Sequence, residues 1–331
     1  RGYCATSPPP LLLAPPGRAP LLRETGFGQN CHRALSWPHT RATWPTNVVI
    51  GIGSRLEGPY MRWNQMQWME RPADPKLVRI DIDPQEMDHW PADAGMIGDS
   101  KPTTKALTAA LAARGVNFVD RSAKIAAAKA KVRGEIVAVQ PQMDILDTVR
   151  DILPADGFVT GEMTQVGFTS QVGFPVYAPR TYVTCGHQDG LGYGFLTALG
   201  VKVANPDKMV ICLTGDGGFQ FGLQELATAK QFGINLISIV FNNSAYGNVR
   251  RDQETRYGGR VIGADLENPD FPALASAYGV GAYQVTDVAG LRTSLTEAAG
   301  KSEPAVIDFV LEKGSEGSPW PFIIRDAWGT G

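Results

Sequence analysis

The chain has 331 residues, with 31 Lys+Arg against 33 Asp+Glu and a formal net charge of −2, a balance that excludes a global electrostatic footprint for nucleic acid or an anionic membrane. Hydrophobic residues make up 43% and charged residues 19%, below the roughly 25% charged that is usual for soluble domains, so surface buried between subunits, and hence an oligomer, is expected. The four cysteines, Cys4, Cys31, Cys185 and Cys212, lack any C-x-x-C spacing; this excludes a disulfide framework and a cysteine-rich zinc site and favours a reducing, cytoplasmic compartment, and no apolar run approaches the roughly 18 residues of a membrane span.

Residues 1–46 differ in composition from everything after them. They hold eight of the 24 prolines (Pro8, Pro9, Pro10, Pro15, Pro16, Pro20, Pro38 and Pro45), one acid, Glu24, and no lysine. No helical or strand period persists there, so the segment reads as irregular or disordered. A Pro/Arg-rich linker, a transit-like segment and a stretch translated out of frame are its three readings.

From Asn47 the pattern becomes α/β. Residues 47–53 are an apolar run ending in glycines and 77–83 alternate before Pro84, both as strands of a parallel sheet. Gly51-x-Gly53 is either a dinucleotide-type turn or a tight strand-end turn, with no third glycine in place. An Ala/Leu-rich helix over 104–113 completes a partial domain, 47–115, and residues 116–142 read as a linker ending at Pro141.

A second domain is expected over 143–313, with a tail over 314–331. Met143, Leu146, Val149, Ile152 and Leu153 keep helical spacing. Strands follow at 158–161, 181–185, 209–213, 236–241, 283–286 and 305–311, with helices at about 192–203, 222–232, 270–278 and 289–299. Phe271, Leu274, Ala275 and Tyr278 mark one buried face of the third of these helices. The alternation implies βαβ units, doubly wound parallel sheets covered on both sides, and ligands outside the carboxyl ends of the strands.

Two strand ends carry the most specific signal. The strand at 209–213 runs into Thr214-Gly215-Asp216-Gly217-Gly218, and the next ends at Phe241-Asn242-Asn243-Ser244-Ala245-Tyr246-Gly247. The first carries Asp216 to its carboxyl end, the glycines let backbone approach a phosphate, and the second delivers two amides beside it. A carboxylate, an amide oxygen and a backbone carbonyl, completed by phosphate oxygens and water, suit octahedral Mg²⁺. These residue types predict a metal-bridged diphosphate.

With this pair of motifs the sequence resembles the thiamine diphosphate (ThDP)-dependent enzymes, whose cofactor motif is Gly-Asp-Gly, a spacer, then Asn-Asn; residues 218–241 supply the spacer. The resemblance covers residues 47–323 and is nearest the acetolactate-synthase-like group. Gln224-Glu-Leu-Ala-Thr-Ala229, Asn268-Pro-Asp-Phe271 and residues 275–279 are similar to that group's diphosphate-binding domain, and residues 47–56 and 77–84 to the second half of its central domain. The resemblance implies Asp216, the Asn243 side chain and the Ala245 carbonyl as Mg²⁺ ligands, with Gly215, Gly217 and Gly218 cradling the diphosphate. Residues 186–194 resemble the loop that reaches the middle of the cofactor. Leu191 is there the apolar wedge that bends ThDP, and the carbonyl of Asp189 the acceptor for its amino group, although the group usually has glycine at that position.

Other residues keep two readings. His187 is a proton-transfer group or an ordinary loop histidine. Glu162 and Gln165 line the substrate side or lie on a solvated loop. Arg250 and Arg251 meet an acidic substrate or form a solvated helix face. Gly247-Asn-Val-Arg-Arg-Asp252 departs from the Gly-Met-Val-x-Gln-Trp of acetohydroxyacid synthase, which argues against a strict assignment to branched-chain amino-acid synthesis.

The resemblance further implies a decarboxylase or carboligase acting on a 2-oxo acid. The family's catalytic glutamate belongs to a pyrimidine-binding domain expected to lie outside these residues, so that domain would come from a homo-oligomer or another chain. FAD is left open by the partial central domain. A catalytically silent truncated fragment and one subunit of a split enzyme are the two other readings, and neither nucleic acid nor a membrane is an expected partner.

Overall fold

A computed structural model describes residues 13–14, 48–54, 76–89, 92–116, 119–185 and 190–323. They fall into two compact units, 1–135 with 320–331, and 136–319. The disorder expected over 1–46 lies outside the described residues except at one point. Leu13–Ala14 (β1) pairs in parallel with Val48–Ile52 (β2), Leu13 opposite Ile50 and Ala14 opposite Gly51, so the segment is not irregular throughout.

In the first unit β2 is followed by Lys76–Asp81 (β3), the short helix Glu86–His89 (α1), Ala94–Ile97 (β4) and the helix Ser100–Ala113 (α2). The sheet order is β1-β2-β3-β4, all parallel. Ile50, Ile52 and Ile80 form its core, with Met96 and Leu107 packed against them. Helix α2 starts ahead of the expected boundary because Asp99 caps it, its carboxylate accepting from the Lys101 N–H at 2.9 Å. Within the expected linker 116–142 stands a helix, Ser122–Ile136 (α3). Its Ala and Lys residues are strong helix formers, and that preference prevails over their polar, linker-like composition.

The second unit continues with Gln142–Ile152 (α4), Phe158–Gly161 (β5), Gln165–Gly173 (α5), Tyr182–Thr184 (β6), Tyr193–Ala204 (α6) and Val210–Gly215 (β7). Next come Asp216–Phe219 (α7), a 3₁₀ turn at Leu223–Glu225, Leu226–Gln231 (α8), Ile237–Asn242 (β8) and Gly247–Arg256 (α9). Phe271–Ala277 (α10), Gly281–Val285 (β9), Val288–Ala299 (α11) and Ala305–Val310 (β10) complete it. The six strands run β6-β5-β7-β8-β10-β9 and are all parallel. This is the doubly wound α/β arrangement expected from the sequence.

The topology itself selects a site. From β5 the chain steps to the edge strand β6 and then returns to the other side of β5 as β7, so the winding reverses between β5 and β7. A crevice opens outside the carboxyl ends at such a reversal. Strands β7 and β8 are predominantly apolar, each with its first five residues buried, as parallel strands covered on both faces are. Beneath the end of β7 lies an aromatic cluster. Phe219 meets Phe195 edge-on at 5.0 Å and Phe271 at 5.8 Å between centroids, and Phe271 and Ala275 are completely buried with Leu274 and Tyr278 packed beside them, the face expected of α10.

Candidate cofactor and metal site

The Gly-Asp-Gly and Asn-Asn motifs meet because β7 and β8 are register neighbours, Gly215 opposite Phe241. β7 therefore ends one residue before Asp216, and β8 ends on Asn242. Asp216 opens α7 and is 2% exposed. Its Oδ2 accepts from Asn268 Nδ2 at 2.7 Å and its Oδ1 from the Gly217 N–H at 2.8 Å, while the Ser244 and Ala245 N–H groups lie near it. All of these donors are neutral. Burial accordingly pushes the Asp216 carboxyl above its ordinary value, against the pull of those hydrogen bonds.

Asn268 organises this end of the site. The same Nδ2 also donates to Asn242 Oδ1 at 2.8 Å, while its Oδ1 accepts from Gln220 Nε2 at 2.9 Å. Asn242 in turn donates to the buried Asp308 at 3.0 Å. Asn243 uses its Oδ1 to accept from the Ala245 N–H at 3.1 Å and donates through Nδ2 to Glu316 at 2.7 Å. The roles of Asn268 and Glu316 had no local sequence signal, since their partners lie 26 to 73 residues away.

The second half of the crevice is built on Glu162, at the end of β5. The solvated-loop reading of Glu162 and Gln165 is incorrect: they are 4% and 8% exposed. Glu162 accepts from the Gly192 N–H and from the Thr214 hydroxyl, so one carboxylate ties the Leu191 loop to the end of β7. Burial raises its carboxyl above the ordinary range, opposed first by the Thr214 hydrogen bond. The same carboxylate packs on Gly218, where an added Cβ would lie 2.5 Å from its oxygen, and Gly192 adopts φ +87°, the left-handed region that favours glycine. Gln165 begins α5 with its Oε1 buried and without a partner among the described residues.

Leu191 is 42% exposed beside this clamp, with Leu196 and Phe221 also exposed. Asp189 and His187 lie outside the described residues. Arg250 is occupied by ion pairs to Glu254 at 3.0 Å and Asp265 at 2.6 Å, and Arg251 sits on the same polar helix, α9. Among the described residues, no three His, Cys, Asp or Glu side chains converge as a metal cluster, and no helix is long and apolar enough to cross a membrane.

The residues present fit a hard divalent cation bridged to a diphosphate. Among the described residues Asp216 is a buried carboxylate with no cationic side chain among its partners, and the Ala245 N–H near it also donates to the Asn243 amide oxygen; a carboxylate and an amide oxygen are donors of the kind Mg²⁺ takes in small number. The glycine cradle is tight, since a Cβ on Gly217 would collide with the Tyr246 ring.

Burial of the three carboxyls Glu162, Asp216 and Glu316 makes a pH prediction. All three are raised above their ordinary values of 4.5, 3.8 and 4.5. A raised carboxyl holds its proton more tightly in the folded chain, so its contribution is complete below the unfolded value and is lost as pH rises through the folded one. The metal-free chain should therefore lose thermal stability across that window. Asp216→Asn should flatten the loss, which melting curves at stepped pH would show.

Residues 162–309 match the family described as thiamine pyrophosphate enzyme, C-terminal TPP binding domain. The chain is 33% identical over 273 residues to the probable 2-ketoarginine decarboxylase AruI of Pseudomonas aeruginosa, covering 79% of this chain and 46% of that protein. It is 32% identical over 284 residues to a probable acetolactate synthase large subunit of Methanocaldococcus jannaschii, covering 80% and 46%. To the acetolactate synthase large subunit of Haemophilus influenzae it is 28% identical over 291 residues, covering 85% and 50%. It thus spans about half the length of the curated relatives it matches. A parallel sheet with Asp216 and Asn243 on neighbouring strand ends, inside a matched TPP-binding domain, makes this chain a member of the ThDP-dependent enzymes, in the acetolactate-synthase-like group.

Proposed function

We propose that residues 136–319 hold the diphosphate end of ThDP through Mg²⁺, as part of an enzyme that decarboxylates a 2-oxo acid and releases the product or joins it to a second carbonyl compound. The observation that carries this reading is the convergence of Asp216, Asn243 and Ala245 at the ends of β7 and β8. Asp216, the Asn243 amide oxygen and the Ala245 carbonyl are the protein ligands in this reading, with Gly215, Gly217 and Gly218 as the diphosphate cradle. In this structure the Gly217 N–H donates to Asp216 Oδ1. Bound ThDP supplies the carbanion chemistry that cleaves the bond between carboxylate and carbonyl carbon. The chain's own part would be orientation: Leu191 would pack its apolar side chain against the bound cofactor, and Glu162 holds that loop through Gly192.

In this reading the pyrimidine end is held by a protein region other than residues 136–319. The exposed apolar side chains of Leu191, Leu196 and Phe221 support this. CO₂ release from pyruvate and longer 2-oxo acids tests the proposal. The native assembly should show Mg²⁺- and ThDP-dependent release with at least one of them, and none with any would contradict it. These 331 residues alone should release none; turnover by them would refute the need for a second region.

A further inference from the structure

Residues 311–319, after β10, form a strap fastened at both ends. The Leu311 N–H donates to Asn242 O at 2.8 Å. At the far end the Gly317 N–H donates to Gln140 O at 2.8 Å, and Gly317 O accepts from the buried Gln142 Nε2 at 2.6 Å. Between them Lys313 pairs with Asp265 at 2.6 Å. Glu316, one residue before the second anchor, is thereby set against Asn243.

A carboxylate only accepts hydrogen bonds, whereas an amide has a donating and an accepting end. Glu316 Oε2 takes the Nδ2 end of Asn243 at 2.7 Å, and the Ala245 N–H takes the Oδ1 end at 3.1 Å. Turning the amide over would set Oδ1 against the carboxylate and NH₂ against an N–H, two mismatches at once. The Ala245 N–H also lies near Asp216, so the selected orientation puts the amide oxygen on the Asp216 side. Burial raises the Glu316 carboxyl, and the Asp216 charge adds to that rise.

We propose that Glu316 is a positioning residue for the cation: it fixes the Asn243 amide with its oxygen toward Asp216 and adds a second negative charge behind that ligand. The proposal rests on the reading of Asp216, Asn243 and Ala245 as the cation's ligands. Partners that orient metal ligands typically change affinity by about 10–100-fold when removed.

The test is Mn²⁺ binding by the full chain with inorganic diphosphate, followed by electron paramagnetic resonance, together with melting of the metal-free protein. Glu316→Gln keeps the shape but loses the charge and accepts either end of the amide. It should weaken Mn²⁺ binding about tenfold or more without lowering the metal-free Tm, because it removes a half-buried carboxylate whose charge is repelled by Asp216. Glu316→Asp, still charged and acceptor-only, should recover most of the affinity, and the exposed Glu312→Gln on the same strap should match wild type. Wild-type failure to bind Mn²⁺ overturns the ligand reading and this proposal with it. Wild-type binding matched by Glu316→Gln overturns only the role of Glu316. A metal-free Tm that falls together with affinity makes Glu316 a structural anchor and overturns it equally.

Discussion

Asp216→Ala is expected to abolish Mg²⁺-dependent uptake of ThDP while leaving the chain folded. Asp216 is the carboxylate that β7 delivers to the crevice, and its oxygens are held in place by Asn268 and Gly217. Since loss of a group that merely orients a ligand weakens metal binding about 10–100-fold, loss of the ligand itself should exceed about 100-fold. The fold should tolerate the change. Asn268 Nδ2 keeps Asn242 Oδ1 at 2.8 Å as an acceptor, and removing a buried carboxylate offsets part of the unsatisfied Gly217 N–H, so the net stability change is about 1–2 kcal/mol. Calorimetric titration with ThDP, alongside thermal melting, checks both halves. Unchanged affinity would remove Asp216 from the ligand set.

Phe271→Ala should produce the largest loss of stability. Phe271 has no exposed surface and stands edge-on to Phe219 at 5.8 Å, which meets Phe195 at 5.0 Å. Emptying such a position costs about 3–5 kcal/mol through lost transfer energy and the cavity left behind. At roughly 2–4 °C per kcal/mol for a unit of this size, the Tm should fall by about 6–20 °C. The damage should also reach the site, because Phe219 closes α7, the turn that Asp216 opens. Weaker Mg²⁺–ThDP binding in the surviving folded fraction is the expected companion result. A Tm shift under 2 °C would show that the cluster repacks and does not support the turn.

The parts of this chain readable from sequence are those whose signal is local. β5 has the bounds expected, Phe158–Gly161, because it is a short apolar run between turn residues. The apolar spacing of α10 gave the fully buried Phe271 and Ala275. That the Asp216 and Asn243 motifs end neighbouring strands was legible because consecutive strands joined by a crossover are usually neighbours, as β7 and β8 are. Helix α5 was not foreseen: eight of its nine residues are buried, so it has no polar face and no 3.6-residue stripe to detect. The helix expected over 222–232 divides into a 3₁₀ turn and α8.

Polar residues buried by distant partners were illegible for the same reason. Glu162 looked like loop because its bonds run to Gly192 and Thr214, 30 and 52 residues on. Asn268 lay inside a recognised motif, yet nothing local indicated that its amide bridges Asp216 and Asn242. Glu316 stood in a Gly- and Ser-rich stretch expected to be a tail, and only the anchors at Gly317 bring it to Asn243. Local composition carries no information on such pairings.

In the proposed site Asp216, Asn243 and Ala245 hold a cation that binds the diphosphate of ThDP. The most direct measurement is a calorimetric titration of ThDP into the wild-type chain, first with Mg²⁺ and then after chelation. Saturable binding that disappears on chelation and returns with added Mg²⁺ is the predicted result. Binding of equal strength with and without the metal, or no binding in either condition, would contradict it.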